Sequence, residues 1–380
     1  MITYNLIVMG LFLIVLTAML VNLLVDYRRE RKIAKYPFIS FLIPTYKDAD
    51  MISGTIRSIY SSYKKGKFEI FVLNDCSPDN TLDVLKKLRK TYKFNVITNK
   101  KNLGKSASIN NAFKKTRGDV IFIVDSDTNL NKGAVNDIVA RLNDKRVGGV
   151  SCRYRPKNEG FFAAMQTIEY GMLGLVQISS NEYSTLSFWG GCMAIKRKVF
   201  EKAGKLSENA IIEDADLALK IGGIGYLAQE SQYAIESDVP DSFKSWYKQK
   251  IRWTSGFMQN LIKHGGYFIK HPVAITLLCL YGIMSIFFMY TFVTTLVNLR
   301  AVGFDEDAIL RMIGNYLFYP LFSIPYVMMN MPKWKRNPFR LLLVFPYAMI
   351  YYPLLTIATI HGFIKGILIY KKLKSGKRGW

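Results

Sequence analysis

Four stretches without a single Asp, Glu, Lys or Arg, residues 2–25, 273–299, 312–332 and 341–364, constrain this 380-residue chain more than any motif does. Each is long enough to cross about 30 Å of hydrocarbon. Their spacing predicts a transmembrane anchor at 1–27, a soluble domain at 37–240, interfacial helices at 241–271, a transmembrane region at 272–370 and a basic tail at 371–380. A cleaved signal peptide is the other reading of the first block. It lacks a basic start, and the apolar run is too long for one.

The formal charge of +24, from 52 basic and 28 acidic residues, excludes nucleic acid by its placement rather than by its size. Arg28, Arg29, Arg31, Lys32 and Lys35 follow the first block. Lys333, Lys335, Arg336 and Arg340 follow the third, and Lys371, Lys372, Lys374, Lys377 and Arg378 close the chain. Asp305, Glu306 and Asp307 lie between the second and third blocks. Under the positive-inside rule the soluble domain and the tail face the cytosol of an integral cell-membrane protein, in contact with anionic lipid. Three crossings by residue 332 leave two readings of the last block: a full crossing that puts the tail outside, or, as the basic tail favours, a break at Pro346 or Pro353 and re-entry that keeps it inside. Four cysteines without CxxC spacing and three histidines point to neither a zinc site nor a disulfide scaffold. The oligomeric state is not legible.

Within the soluble block, apolar runs alternate with helical periods. Strands are expected at 38–43, 70–73, 95–97 and 120–124, with helices at 51–62, 82–92 and 106–115 between them. That β-α-β-α-β-α-β order predicts a mostly parallel, nucleotide-binding sheet. The strand Val120-Ile121-Phe122-Ile123-Val124 ends at Asp125-Ser126-Asp127. Ligands of such sheets bind at the carboxyl ends of the strands, so this acid pair suits a divalent cation beside an anionic ligand, or else caps the next loop. No GxGxxG follows the first strand, which argues against a dinucleotide oxidoreductase.

Farther on, Phe161, Phe162, Met165, Ile168, Met172, Leu173 and Val176 recur at helical spacing, as a core helix or one lying at the membrane interface. Trp189-Gly190-Gly191 places a ring beside backbone without Cβ, which suits a stacked sugar or a buried turn. Glu213-Asp214-Ala215-Asp216 opens a helix, where acids are favoured in any case. Gln249, Arg252 and Trp253 share one helical face, fit for a diphosphate and a sugar ring or for lipid headgroups.

Pro44-Thr45-Tyr46, Asn74-Asp75-Cys76-Ser77-Pro78-Asp79, Asn102-Leu103-Gly104-Lys105, Asp125-Ser126-Asp127, Gly190-Gly191-Cys192, Glu213-Asp214-Ala215-Asp216-Leu217 and Gln249-Lys250-Ile251-Arg252-Trp253 occur in this order. In that order they resemble the motifs of membrane-bound family 2 glycosyltransferases, the processive poly-N-acetylglucosamine, cellulose and hyaluronan synthases among them. The resemblance covers residues 38–256. It implies a GT-A α/β domain, with a mostly parallel, nucleotide-binding sheet, inserted between transmembrane helices. It also implies an inverting, metal-dependent hexosyltransferase that adds sugar from a nucleotide-sugar donor to a growing β-linked polysaccharide. Carried onto this sequence, Pro44, Tyr46, Asp75, Lys105, Asp125 and Arg252 bind the nucleotide sugar. Asp125 and Asp127 hold Mg2+ or Mn2+, and Asp214 is the catalytic base. Trp189, Gly190, Gly191, Gln249 and Trp253 bind the acceptor. Poly-N-acetylglucosamine synthases resemble it most, which implies a UDP-sugar donor, UDP-N-acetylglucosamine being the first to test, and leaves sugar, linkage and acceptor open. Two alternatives are single transfer to a polyprenyl phosphate or glycolipid and a catalytically silent membrane scaffold.

Overall fold

The computed structural model describes residues 14, 17–271, 297 and 337–374. The apolar blocks at 273–299 and 312–332, apart from residue 297, lie outside these residues, as does the tail from 375. The described residues form two compact units. The first takes those up to Arg155 together with Leu173–Asn209 and Glu213–Ser237. The second takes Pro156–Met172, Ala210–Ile212 and those from Asp238 onward.

The first unit is built on β1 (Ile39–Thr45), β2 (Phe68–Asn74), β3 (Asn95–Thr98), β4 (Val120–Val124), β5 (Val147–Ser151), β7 (Cys192–Lys196) and β8 (Leu227–Glu230). They form one sheet in the order β3-β2-β1-β4-β7-β5-β8. β1 to β4 are mutually parallel, as the alternating pattern predicts. β7 is the exception, running antiparallel to both β4 and β5. Register explains its use. Cys192 at the start of β7 pairs with Val124 at the end of β4, so the residues before Cys192 reach the edge where β1, β2 and β4 end. β5 and β8 are parallel, with Ser151 opposite Glu230, and deliver their last residues to that edge too. A short pair, β6 (Tyr154–Pro156) and β9 (Ile235–Ser237), lies outside this sheet.

Helices α2 (Ile52–Ser62), α3 (Thr81–Leu88), α4 (Lys105–Phe113), α5 (Lys132–Leu142), α7 (Arg197–Lys202) and α8 (Glu213–Gly223) connect the strands. Two apolar clusters form the core: Phe41, Ile43, Ile56, Phe122 and Val135 belong to one, and Leu42, Ile109, Ile121, Phe200 and Leu217 to the other. Alternate strand residues enter different clusters because successive side chains point to opposite faces. α1, residues 17–28, ends in an ion network. Asp26 accepts two bonds from buried Arg141, at 2.7 and 3.0 Å, one from Arg31 at 2.7 Å and one from Asn181 at 3.1 Å.

The second unit centres on α9 (Phe243–Lys263), followed by α10 (Gly265–Lys270) and later by α11 (Tyr352–Lys374). α9 and α11 pack closely because α11 offers Gly362 and Gly366. A Cβ at Gly362 would fall 1.6 Å from Thr254 Oγ1, and one at Gly366 would fall 2.6 Å from the Ser255 carbonyl. Small residues four apart allow such backbone approach. The N-terminal part of α6 (Phe161–Ser179) supplies Met165, Ile168 and Met172 to a buried cluster with Trp246, Val344, Tyr347 and Tyr351. The structure therefore favours the core reading of α6 over the interfacial one.

The expected break of the last apolar block is corrected. Val344–Lys371 is one helical run, the single one among the described residues long and apolar enough to cross a membrane. Pro353 follows a π-helical turn at Tyr347–Tyr351, a local change of hydrogen-bond register, and the run passes both prolines without a break. The chain continues as helix instead of turning back.

Candidate active site

At the carboxyl edge of the first unit, the end of β4 brings Asp125 against Lys105, the first residue of α4. The ammonium is 2.7 Å from Asp125 Oδ1 and 3.2 Å from Glu213 Oε1, and it donates to the Gly190 carbonyl at 3.3 Å. A Cβ on Gly190 would lie 2.6 Å from Asp214 Oδ2 and 3.6 Å from Lys105 Nζ, so a larger residue would crowd the cluster. Gly191 has the same need, since its Cβ would strike the Tyr154 ring at 2.3 Å. Its carbonyl accepts from the Asp125 N–H at 3.0 Å, which continues the β4–β7 ladder to the acid. Lys105, Asp125, Gly190, Gly191 and Asp214 thus meet, though they are scattered over 110 positions of sequence.

The charges shape one another. Desolvation alone would lower the Lys105 pKa, but Asp125 and Glu213 outweigh it and hold the ammonium above its ordinary value. Burial, reinforced by Asp125 and Asp48, raises the Asp127 carboxyl. Tyr154 is driven well upward by burial and then by Asp125, Asp214, Asp127 and Glu213, which places its hydroxyl in the same acidic field. That tyrosine, Glu213 and Asp48 were not among the expected site residues. Asp48 Oδ2 accepts from Ser126 Oγ at 2.6 Å and from the Tyr46 N–H at 3.0 Å, tying the loop after β1 to the acid pair.

Asp75 lies at the end of β2, at the same edge. It is buried, and it accepts from the Leu103 and Gly104 N–H groups and from Asn99, each at 2.8 Å. Gly104 has φ of 84°, open to glycine at little cost, so Asp75 orders the turn that launches Lys105. Pro44 is half-buried on β1, while Tyr46 is 42% exposed, with the Lys47 ammonium 5.3 Å from its ring centroid. Trp189 is only 5% exposed. Its Nε1 donates to Glu230 Oε2 at 3.0 Å and its ring meets Tyr154 edge-on, so the buried-turn reading of this tryptophan holds in place of an open stacking face.

In the second unit, Gln249, Arg252 and Trp253 lie on α9, as the helical spacing predicts. Arg252 is exposed and Gln249 half-buried. Gln249 Oε1 is buried, and among the described residues no donor reaches it. Such an acceptor is left unsatisfied, at a cost in stability. Trp253 is flanked by Tyr170 at 5.9 Å and by the Lys250 ammonium, 4.3 Å from its ring centroid. Lys250 is buried against Glu169 at 2.8 Å, and Glu169 also accepts from the Tyr351 hydroxyl.

The donor set around Asp125 and Asp127 is hard oxygen, which suits Mg2+ or Mn2+, and a cation, the Lys105 ammonium, already stands in it. Among the described residues no group of three or more His, Cys, Asp or Glu could hold a metal. Two carboxylates fit a metal whose remaining oxygens come from a ligand.

Residues 40–204 match the family model described as glycosyl transferase family 2. That match spans less than half of the chain. The "Probable glycosyltransferase YdaM" of Bacillus subtilis is 30% identical over 264 residues, covering 63% of this chain and 62% of its own. A poly-beta-1,6-N-acetyl-D-glucosamine synthase of Staphylococcus aureus is 26% identical over 230 residues, covering 59% and 56%. This chain thus spans less than two thirds of the length of both relatives. The mannosyltransferase PcManGT of Pyrobaculum calidifontis, solved with GDP-Man and Mn2+, superposes with a TM-score of 0.61 at 18% identity, over 95% of this chain and 98% of its own. The chain shares that fold, a GT-A-like α/β arrangement with a mostly parallel sheet.

Proposed function

We propose that the chain is a membrane-embedded, inverting glycosyltransferase. It moves a sugar from a nucleoside-diphosphate donor, UDP-N-acetylglucosamine, onto a growing β-linked polysaccharide at the cytosolic face of the cell membrane. The observation that carries this reading is the cluster of Lys105, Asp125, Glu213 and Asp214 around the Cβ-free Gly190, inside the family 2 match. The helical run Val344–Lys371 and the basic residues flanking the apolar blocks support the membrane part.

Each residue type has a task in such a transfer. Pro44, Tyr46 and Asp75 receive the nucleoside, and Asp75 also holds the turn before Lys105. Lys105 and Arg252 pair with diphosphate oxygens. The acceptor hydroxyl oxygen bonds to the anomeric carbon as the bond from that carbon to the diphosphate breaks. Its proton passes to the Asp214 carboxylate, and the bonding pair leaves with the diphosphate. Attack opposite the leaving group inverts the anomeric centre. Bound Mg2+ or Mn2+ on Asp125 and Asp127 supplies charge that steadies the leaving diphosphate. Gln249 and Trp253 take the acceptor, Trp253 by stacking on a sugar face. Gly190 and Gly191 keep the acceptor's path clear, with Trp189 as a buried support.

The test is a screen of radiolabelled UDP- and GDP-sugars over the purified full chain in detergent, with products sized by gel. Long products from UDP-N-acetylglucosamine are expected. A single sugar on lipid would redirect the reading to one-step transfer, and incorporation from no donor would defeat it.

A further inference from the structure

Lys105 does not extend into solvent to await a nucleotide. Its ammonium touches Asp125, Glu213 and the Gly190 carbonyl, with Asp214 a Cβ's width beyond that glycine. The backbone leading to it is fixed, because Asp75 accepts from the N–H groups of both Leu103 and Gly104. Any departure of the ammonium is therefore a rotation of the side chain alone. While the ammonium stays 2.7 Å from Asp125, a divalent cation on that carboxylate would meet a positive charge at contact distance. Asp127 by itself is one ligand, and no group of three metal-binding side chains exists among the described residues.

A nucleoside diphosphate changes both conditions. Its oxygens offer the ammonium another anion, and they complete the coordination that two carboxylates leave open. We propose that Lys105 is the resting counter-ion of the acid cluster, exchanged from Asp125 onto the diphosphate as the donor arrives, so that the site takes a divalent cation only together with a nucleotide. This inference rests on the donor reading above. It adds an order of events: metal does not load first, and the empty enzyme is protected from holding free cation in a useless arrangement.

The experiment follows free Mn2+ by electron paramagnetic resonance with the full chain in detergent. For the wild type, Mn2+ alone is expected to stay free, and to become bound when UDP or GDP is added. Lys105→Met is expected to bind Mn2+ without nucleotide at least about ten-fold more tightly than the wild type does. Lys105→Arg, which keeps the charge, should still exclude it, and Lys105→Gln repeats the loss of charge in a second, polar side chain. Equal binding of Mn2+ alone by the wild type and both uncharged variants would overturn the counter-ion role while leaving the donor reading intact. If no protein binds Mn2+ even with UDP or GDP, the donor reading itself falls, and the exchange with it.

Discussion

Two lysine–carboxylate pairs of nearly equal length serve opposite ends in this molecule. In the first unit, Lys105 lies 2.7 Å from Asp125, with both side chains more than a quarter exposed. In the second, Lys250 lies 2.8 Å from Glu169, with both almost wholly enclosed. The enclosed pair has its remaining valences filled. The Tyr351 hydroxyl donates to Glu169, Trp246 Nε1 donates to Tyr351 at 2.7 Å, and the ammonium rests over the Tyr170 and Trp253 rings. Such a pair is fixed, because removing either partner strands a buried charge. The accessible pair is exchangeable, since water and an incoming anion can replace either partner. Contact distance alone does not separate structural ions from working ones; enclosure does.

The largest expected effect lies beside the exchangeable pair. Asp214→Asn keeps the shape and removes the proton acceptor, so transfer should fall by about 10² or more while donor affinity is kept. Equal loss of donor binding, read by calorimetry with UDP, would make Asp214 a helix cap instead. Next comes the contrast itself. Lys250→Met should cost about 3–5 kcal/mol of stability, the range for breaking a buried ion pair. Lys105→Met should cost about 1 kcal/mol or less. Denaturation of the two variants side by side checks this, and similar losses would erase the distinction.

A smaller effect is expected at Trp253, whose ring Lys250 holds from one side. Trp253→Ala should weaken transfer by about 1–3 kcal/mol, the scale of aromatic stacking, and leave nucleotide affinity within a few-fold. A parallel loss of nucleotide affinity would assign the ring to the donor. The smallest effect is a pH slope. Burial pushes the Glu230 carboxyl up to about 7, against the opposing pull of Arg153 and Trp189. The folded chain therefore binds that proton more tightly than the unfolded chain, whose glutamates titrate near 4.5. The corresponding stability is complete below that value and is lost as pH rises toward about 7. Glu230→Gln should flatten this part of the curve of melting temperature against pH, and an unchanged slope would show that Glu230 titrates normally.

The parallel half of the sheet was legible because β1 to β4 alternate with helices in simple order, and the buried run before Asp125 marks a strand covered on both faces. The reversal at β7 was not, since Cys-Met-Ala-Ile-Lys carries no signal of direction. Asp48 and Glu230 are not legible because their partners are distant in sequence, Ser126 being 78 residues from one and Trp189 41 from the other. Trp189 was expected on a sugar and is instead bonded to that hidden glutamate. Apolar periodicity marked α6 and the last apolar block but did not show what covers them. In α6 the answer is a protein core shared with Trp246 and Tyr351. The prolines of the last block suggested a break that the turn before α11 absorbs.

The most direct test of the central claim, that the acid edge of the first unit works on a metal-bound donor, is transfer measured before and after chelation. Sugar incorporation by the full chain should vanish in excess EDTA and return when Mn2+ or Mg2+ is restored in excess of the chelator. Undiminished incorporation in EDTA would contradict the assignment of Asp125 and Asp127 and the account built on them.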